Sequence, residues 1–307
     1  MILYSIQASK NHSYSVILRK SQEKPETFIM LRQIKSAMLY GVNLQVMELT
    51  KEQLERYSRH ITLKEFGVEG QKKLLSSKVL VIGTGGLGSP VLMYLAAAGI
   101  GTIGIVDDDV VDYSNLQRQV IHQTKDVGVL KTESARNKIN ALNPEVKVNV
   151  YNTFITPDNI LSIIKDYDFI LDCTDNFESK FLINDACVIA QKPFCHAAVI
   201  RFEGQVMTYV PGKGPCYRCV FGSVPPAGAV KNSKQIGVFG PLPGLIGNFQ
   251  VIECVKYLLG IGELLTGHLL TINALNMKVK NMKLPPKNCD CPVCSEHRTI
   301  LKPSDSF

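Results

Sequence analysis

The sequence predicts an α/β fold: a mostly parallel sheet with helices on both faces, an antiparallel C-terminal extension and a small N-terminal α+β piece. Three observations predict it. An apolar run, residues 78–82, leads into the glycine loop Gly83-Thr84-Gly85-Gly86-Leu87-Gly88, and a helix-like segment follows through Ala98. Strand-like and helix-like segments then alternate as far as residue 190, the pattern of strands joined by crossover helices. Past residue 194 the alternation stops, and strand-like segments follow one another.

In chain order, residues 1–48 read as a separate extension and 49–307 as the main domain. Residues 2–7 and 14–18 alternate like short strands, 27–39 is helix-like and 42–49 is apolar. No chemistry is legible there: a packing or dimerisation element and a clamp for a partner peptide both fit. Thr50 and Gln53 form a capping box that starts a helix carrying Arg56-Tyr57-Ser58-Arg59-His60. The first strand, tight turn and helix then form a Rossmann-like unit. Expected next are strand 102–106, helix 130–142, strand 146–151, helix 157–166, strand 168–172 and helix 178–190. The extension is expected from strands 197–201, 204–210 and 269–273. Between them lie a long Pro/Gly-rich segment, 221–243, and a helix, 246–259.

With 307 residues, 45% of them hydrophobic and 20% charged, the chain is long enough for a large core. The apolar stretch 92–106 is broken by Gly99, Gly101 and Gly104, so no membrane span is expected. The N-terminus lacks a basic segment leading into an apolar signal core, and a cytoplasmic protein is expected. The net charge of +7 is moderate and the lysines are scattered, thickening only over 278–287, so nucleic acid is not an expected partner.

The glycine loop sits where a backbone can approach a nucleotide and a helix N-terminus can face its phosphates. Asp107 ends the next strand, where a carboxylate can take a ribose hydroxyl. A dinucleotide oxidoreductase shares these features. The run Ser114-Asn115-Leu116-Gln117-Arg118-Gln119, with Lys131 beyond it, argues for different chemistry. Hydride transfer does not need cations crowded on phosphates, whereas breaking a phosphoanhydride does. The expected reaction is adenylation of a carboxylate by ATP.

Four of the nine cysteines form two chelating pairs, Cys216/Cys219 and Cys291/Cys294. Such pairs at the ends of a long insertion suit a closed tetrahedral zinc site that staples the tail to the body. Cys289 offers a competing ligand, and a redox Cys-x-x-Cys pair with stray thiols is the alternative reading. Cys173, Cys187 and Cys254 read as core thiols, and His60, His122 and His196 as structural residues.

From about residue 55 to 294 the chain resembles the MoeB/ThiF/HesA family, relatives of the ubiquitin-activating enzymes. The motifs that carry the resemblance are Arg-Tyr-Ser-Arg-His (56–60), the glycine loop, Asp107, Ser-Asn-Leu-Gln-Arg-Gln (114–119), Val-Gly-Val-Leu-Lys (127–131) and Asp-Cys-Thr-Asp-Asn (172–176). Arg-Phe-Glu-Gly-Gln (201–205), Gly-Pro-Leu-Pro-Gly (240–244) and the two cysteine pairs complete them. The resemblance implies an adenylyltransferase that uses Mg-ATP on the C-terminal glycine carboxylate of a ubiquitin-like sulfur carrier ending in Gly-Gly. It implies that Gly83, Gly85, Gly86 and Gly88 cradle the nucleotide, with Asp107 on the ribose. Asn115, Arg118 and Lys131, within the segment from Ser114 to Gln119 and just beyond, would contact the phosphates. Asp175, with Asn176 beside it, would ligate Mg. Asp172 would support rather than ligate. Arg59 would reach the ATP of a neighbouring subunit, which requires a homodimer.

One position departs from the family pattern. Members that go on to a thioester or acyl-persulfide carry a loop cysteine where this chain has Ser233. A serine hydroxyl is a far weaker nucleophile at neutral pH. Three readings stay open: the reaction stops at the acyl-adenylate, another thiol such as Cys195 substitutes, or Ser233 replaces a cysteine by engineering. The sequence ends soon after the second cysteine pair, so no fused rhodanese-like sulfurtransferase domain is expected, and a separate sulfurtransferase is a candidate partner. Two other functions stay open as well: MccB-like nucleotidylation of a short peptide, and a non-catalytic nucleotide-binding scaffold.

Overall fold

The computed structural model describes residues 48–226, 228–229 and 233–306. The expectations for residues 1–47 lie outside the described residues. Thr50 caps the first helix, α1 (Lys51–Arg56), its side chain accepting from the Gln53 N–H while the Gln53 side chain accepts from the Thr50 N–H. The segment expected as one helix breaks at Tyr57, and a short α2 (Ser58–Ile61) follows. Tyr57 is buried and its hydroxyl accepts from Asn143 at 2.9 Å, which pins the break to the body.

After α3 (Gly67–Ser76) come β1 (Lys78–Ile82), α4 (Gly88–Ala98), β2 (Thr102–Val106), α5 (Lys131–Leu142) and β3 (Lys147–Tyr151). The chain continues through α6 (Ile160–Ile164), β4 (Phe169–Asp172), α7 (Phe177–Ile189), β5 (Phe194–Ile200) and β6 (Glu203–Tyr209). It ends with α8 (Tyr217–Phe221), α9 (Ser233–Ile236), α10 (Pro241–Leu259), β7 (His268–Asn273) and β8 (Lys278–Lys283).

The eight strands form one sheet in the order β3-β2-β1-β4-β5-β6-β7-β8. From β3 to β5 neighbours run parallel, and from β5 outward they run antiparallel. Alternation along β1 shows why the parallel half reads as apolar runs. Val79 and Val81 pack with Val91, Leu95 and Ile246 on one face. Leu80 and Ile82 pack with Ile164, Ile170 and Phe181 on the other. Both faces are covered, so no polar alternation survives in the sequence.

Further elements differ from expectation: β5, expected over 197–201 in the antiparallel extension, starts at Phe194 and pairs parallel with β4. The helix expected over 157–166 is confined to Ile160–Ile164. The helix expected from 246 starts at Pro241, whose fixed φ and missing N–H suit the first helical turn. The lysine-rich tail segment contains β8, an edge strand with every residue exposed. Lysines on an unpaired edge discourage pairing with other chains.

Two features of the sheet position the site. Chain order reverses direction between β1 and β4, the switch point beyond whose carboxyl ends open α/β sheets bind ligands. In addition, β5 outruns β4. Phe194, Cys195 and His196 pair with β4, while residues through Ile200 pair only with β6.

Candidate active site

A cavity of about 1000 Å³ opens at the switch point. The carboxyl ends of β1 and β4 lie side by side there, with Cys173 N–H donating to the Ile82 carbonyl at 2.9 Å. Gly83 takes φ +96°, and a Cβ on it would stand 2.7 Å from the Cys173 carbonyl oxygen. A Cβ on Gly88 would stand 2.0 Å from the Gly83 carbonyl oxygen. The loop therefore closes tightly at both ends, which leaves Gly85 and Gly86 lining the cavity ahead of α4.

Asp107 follows β2. Its Oδ2 accepts from the Thr84 N–H and hydroxyl, both at 2.7 Å, and its Oδ1 from the Asp109 N–H at 3.0 Å. The carboxylate is thereby aimed and tied to the glycine loop. Lys131 opens α5, and its Nζ lies 2.8 Å from Asp109 Oδ2. Arg118 donates to the Ser114 carbonyl at 3.1 Å. Gln119 is buried, and its Oε1 has no hydrogen-bond partner among the described residues.

Of the residues singled out in the sequence, Gly83, Gly85, Gly86, Asp107, Arg118, Lys131, Asp175 and Asn176 line this one cavity. Gly88 stands behind the loop as the first residue of α4. Ser114, Asn115, Leu116 and Gln117 lie outside the lining. Asn115 accepts from the Asp112 N–H at 3.1 Å and so stabilises the turn that carries Arg118. Arg59 is exposed on α2, away from the lining, and makes no ion pair among the described residues.

Thr84, Asp109, Lys180, Gln205 and Pro243 are additions to those site residues. Thr84, Gln205 and Pro243 stood in the motifs quoted above without a role, the acidic run Asp107-Asp108-Asp109 was a signal for Asp109, and Lys180 depends on tertiary contact. The missed feature of greatest extent is the cavity's sheet floor. Ala198, Gln205, Thr271 and Lys280 are cross-strand neighbours, and so are Ile200, Glu203, Asn273 and Lys278. All eight line the cavity. Two side-chain rows thus run from β5 to the basic edge of the sheet at β8.

These residues fit a nucleotide. The glycine backbone, two cations and the unpaired buried amide suit phosphates and polar edges, and the free Asp175 carboxylate suits a hard divalent cation. The cysteines also converge. Cys216, Cys219, Cys291 and Cys294 have Sγ atoms all within 4.8 Å of one another. Cys216 lies 3.8 Å from Cys219 and 3.7 Å from Cys291, and Cys219 lies 3.4 Å from Cys294. Tetrahedral zinc with sulfur ligands implies separations of about 3.8 Å, so the cluster is compatible with zinc. Cys289 is exposed and hydrogen-bonds Asp290, so the competing ligand stands outside the cluster. Cys195 is fully buried, and burial pushes its thiol well up. Ser233 begins α9. Among the described residues, no helix is long and apolar enough to cross a membrane.

Comparison with known proteins agrees with this geometry. The ThiF family model matches residues 57–293. The sulfur carrier protein adenylyltransferase of Thermus thermophilus is 45% identical over 82% of this chain and 95% of its own length. The adenylyltransferase and sulfurtransferase MOCS3 of Culex quinquefasciatus is 40% identical over 89% of this chain; the match spans only 62% of that longer protein. Among solved structures, E. coli MccB with succinimide is 26% identical, with a TM-score of 0.66 over 78% of this chain and 74% of that one. The chain belongs to the ThiF family.

Proposed function

We propose that the protein uses ATP to adenylate the C-terminal glycine carboxylate of a ubiquitin-like sulfur-carrier protein. A carboxylate is already ionised at neutral pH and needs no general base. One carboxylate oxygen attacks the α-phosphorus, the bond from that phosphorus to the bridging oxygen breaks, and the electron pair leaves on pyrophosphate. What the protein supplies is in-line placement and neutralisation of the departing charge. In this reading Gly86 underlies the nucleotide and Asp107 holds the ribose. Arg118 and Lys131 take the phosphates, with Asn115 supporting them. Magnesium, when bound at Asp175, supplies further charge neutralisation on the phosphates.

The observation that carries the reading is the continuity of the cavity. It joins the glycine loop to two cross-strand rows of the open sheet, a floor long enough for an extended peptide end. A small free acid would need no such floor. The name of one relative, a sulfur carrier protein adenylyltransferase, supplies the substrate class, and that of another, an adenylyltransferase and sulfurtransferase, supports the reaction. Arg59, exposed and outside its own cavity, suits a residue that serves a second copy in a homodimer. Zinc on the four cysteines would be structural. Ser233, with the nine thiols buried, clustered or on the tail, suits a reaction that ends at the adenylate and leaves sulfur to a separate sulfurtransferase.

The test is ATP–pyrophosphate exchange with intact-mass detection, using the host's carriers that end in Gly-Gly and, separately, short peptides encoded nearby. Exchange dependent on one carrier, with the carrier gaining one AMP, supports the proposal. Exchange with a peptide alone moves the protein to the peptide-modifying reading. ATP binding without exchange supports a scaffold.

A further inference from the structure

At the cavity wall, where Lys180 and Gln205 join the lining, lies a buried polar cluster that touches none of the atoms the adenylation would rearrange. Asp172, the last residue of β4, is 1% exposed, His196 is 0% and Lys180 is 5%. Asp172 divides its two oxygens between two tasks. Oδ1 accepts from the Thr174 N–H at 3.0 Å and from the Thr174 hydroxyl at 2.6 Å. Oδ2 accepts from Lys180 Nζ at 3.1 Å and from His196 Nδ1 at 2.9 Å. Lys180 Nζ also donates to the Ala197 carbonyl at 2.8 Å.

The hydrogen bonds fix the histidine tautomer. With its Nδ1 hydrogen on Asp172, His196 presents a lone pair at Nε2 to the Gln205 amide, 3.3 Å away. Tyr217 packs tilted against the ring with centroids 4.6 Å apart, and Phe221 backs Tyr217 on the same side, its centroid 4.4 Å from Tyr217 and 6.1 Å from His196. Burial opposes charge on Asp172, but the Lys180 ammonium and the bonds from His196 and Thr174 hold it well below the usual carboxylate range.

The consequence lies in the turn between β4 and α7. Cys173 Sγ lies 3.4 Å from Gln250 Oε1. Thr174 is held by Asp172. Asn176 caps α7, accepting from the Ser179 N–H at 2.8 Å. Between them Asp175 is exposed, lines the cavity, and makes no hydrogen bond or ion pair among the described residues. Each neighbour in the turn is tied down and the one free carboxylate is presented. Unsupported, such a turn would pay an ordering cost when a cation bound to it.

We propose that Asp172, clamped by Lys180 and His196, is a positioning residue that holds the turn through Thr174 so that Asp175 is set in advance for a divalent cation on the nucleotide. This rests on the nucleotide reading above. Asp172 touches no reacting atom. Its effect passes through two hydrogen bonds to the residue beside the metal-binding carboxylate, and Gln205 ties the same cluster to the sheet floor.

Substituting Asp172 would leave Lys180 buried without its partner and endanger the fold. Thr174 is half-buried and offers a cleaner test. Thr174→Val removes the hydroxyl donor and keeps the shape; Thr174→Ser keeps the donor. The readouts are ATP affinity by calorimetry with Mn²⁺ and without metal, and hydrogen exchange of amides 173–179. A hydrogen bond to a charged group is worth enough that Thr174→Val should weaken Mn²⁺-dependent ATP binding roughly tenfold. Metal-free ATP affinity should stay within about twofold, since that hydrogen bond is not made to the nucleotide. Exchange across the turn should rise, and Thr174→Ser should restore both readouts. Thr174→Val matching the parent in both, or weakening metal-free and Mn²⁺-dependent binding equally, overturns the proposal. If the parent itself binds no ATP, the nucleotide reading fails. The exchange comparison still decides whether Asp172 holds the turn: unchanged exchange in Thr174→Val overturns that hold.

Discussion

The ammonium of Lys131 lies 2.8 Å from a carboxylate oxygen of Asp109, in a lopsided pair: the Lys131 side chain is 8% exposed and that of Asp109 is 69%. The lysine is fixed by its surroundings, while the aspartate reaches in from solvent. A polyphosphate arriving at the glycine loop would compete with Asp109 for the same cation. Exposed partners contribute at most about 1 kcal/mol to such pairs. Asp109→Asn is therefore expected to tighten ATP binding about two- to fivefold, measured by calorimetry at low salt. Weaker binding in that variant would mean that Asp109 helps to hold the nucleotide complex rather than competing with it.

The glycine loop makes a sharper prediction about packing. A methyl group on Gly88 would meet the Gly83 carbonyl oxygen at 2.0 Å, and backbone cannot move aside as a flexible side chain can. Gly88→Ala should cost about 1–3 kcal/mol in urea unfolding and should abolish ATP binding by displacing the loop. Gly244, in the first turn of α10, has nothing within 4 Å of its ideal Cβ. Gly244→Ala should instead stabilise by about 0.5–1 kcal/mol, because alanine loses less freedom in a helix. Equal effects in the two variants would undercut the argument from close approach.

These two regions illustrate what was legible in the sequence. The glycine loop and Asp107 follow strands buried on both faces, so apolar runs mark them directly. The cysteine pairs announce themselves by local spacing. The Asp109 partner of Lys131 was less visible because the two residues meet only through tertiary structure. The sheet floor was invisible for a stronger reason. Gln205 and Thr271, or Asn273 and Lys278, become neighbours through strand register, and β8 carries no buried face to betray it. The start of α10 was hidden because Pro241 and Pro243 read as loop until the first turn of a helix accommodates them.

The cysteine cluster ties the tail to the body, and the tail has a second anchor in the Arg218 side chain, which donates to the Ser306 carbonyl at 2.9 Å and pairs with Asp185. Metal analysis should find one zinc per chain. Structural zinc binds with about 10–16 kcal/mol, comparable with a whole domain's stability of about 5–15 kcal/mol. Chelation or Cys291→Ser should therefore remove the metal and open residues 285–306 to limited proteolysis. Cys289→Ser should keep both the metal and the protection. A metal-free parent protein with a protected tail would overturn the staple.

The buried histidine makes acid stability a further measurable consequence. Burial first, and then the charge of Lys180, push His196 down to about 4, against the pull of Asp172. In the unfolded chain a histidine takes up its proton near pH 6.5. Between those values the unfolded state binds more protons than the folded one, so stability falls as pH falls through that window and is full above it. His122 is also shifted downward, mainly by burial, and adds to the slope in the same direction. Each such group contributes at most about 1.4 kcal/mol per pH unit. The urea midpoint should therefore drop steadily from pH 6.5 towards 4. His196→Gln should be less stable at pH 7, having lost the Asp172 bond geometry, yet show a shallower acid slope. A slope unchanged in His196→Gln would mean that His196 does not stay neutral in the fold across that range.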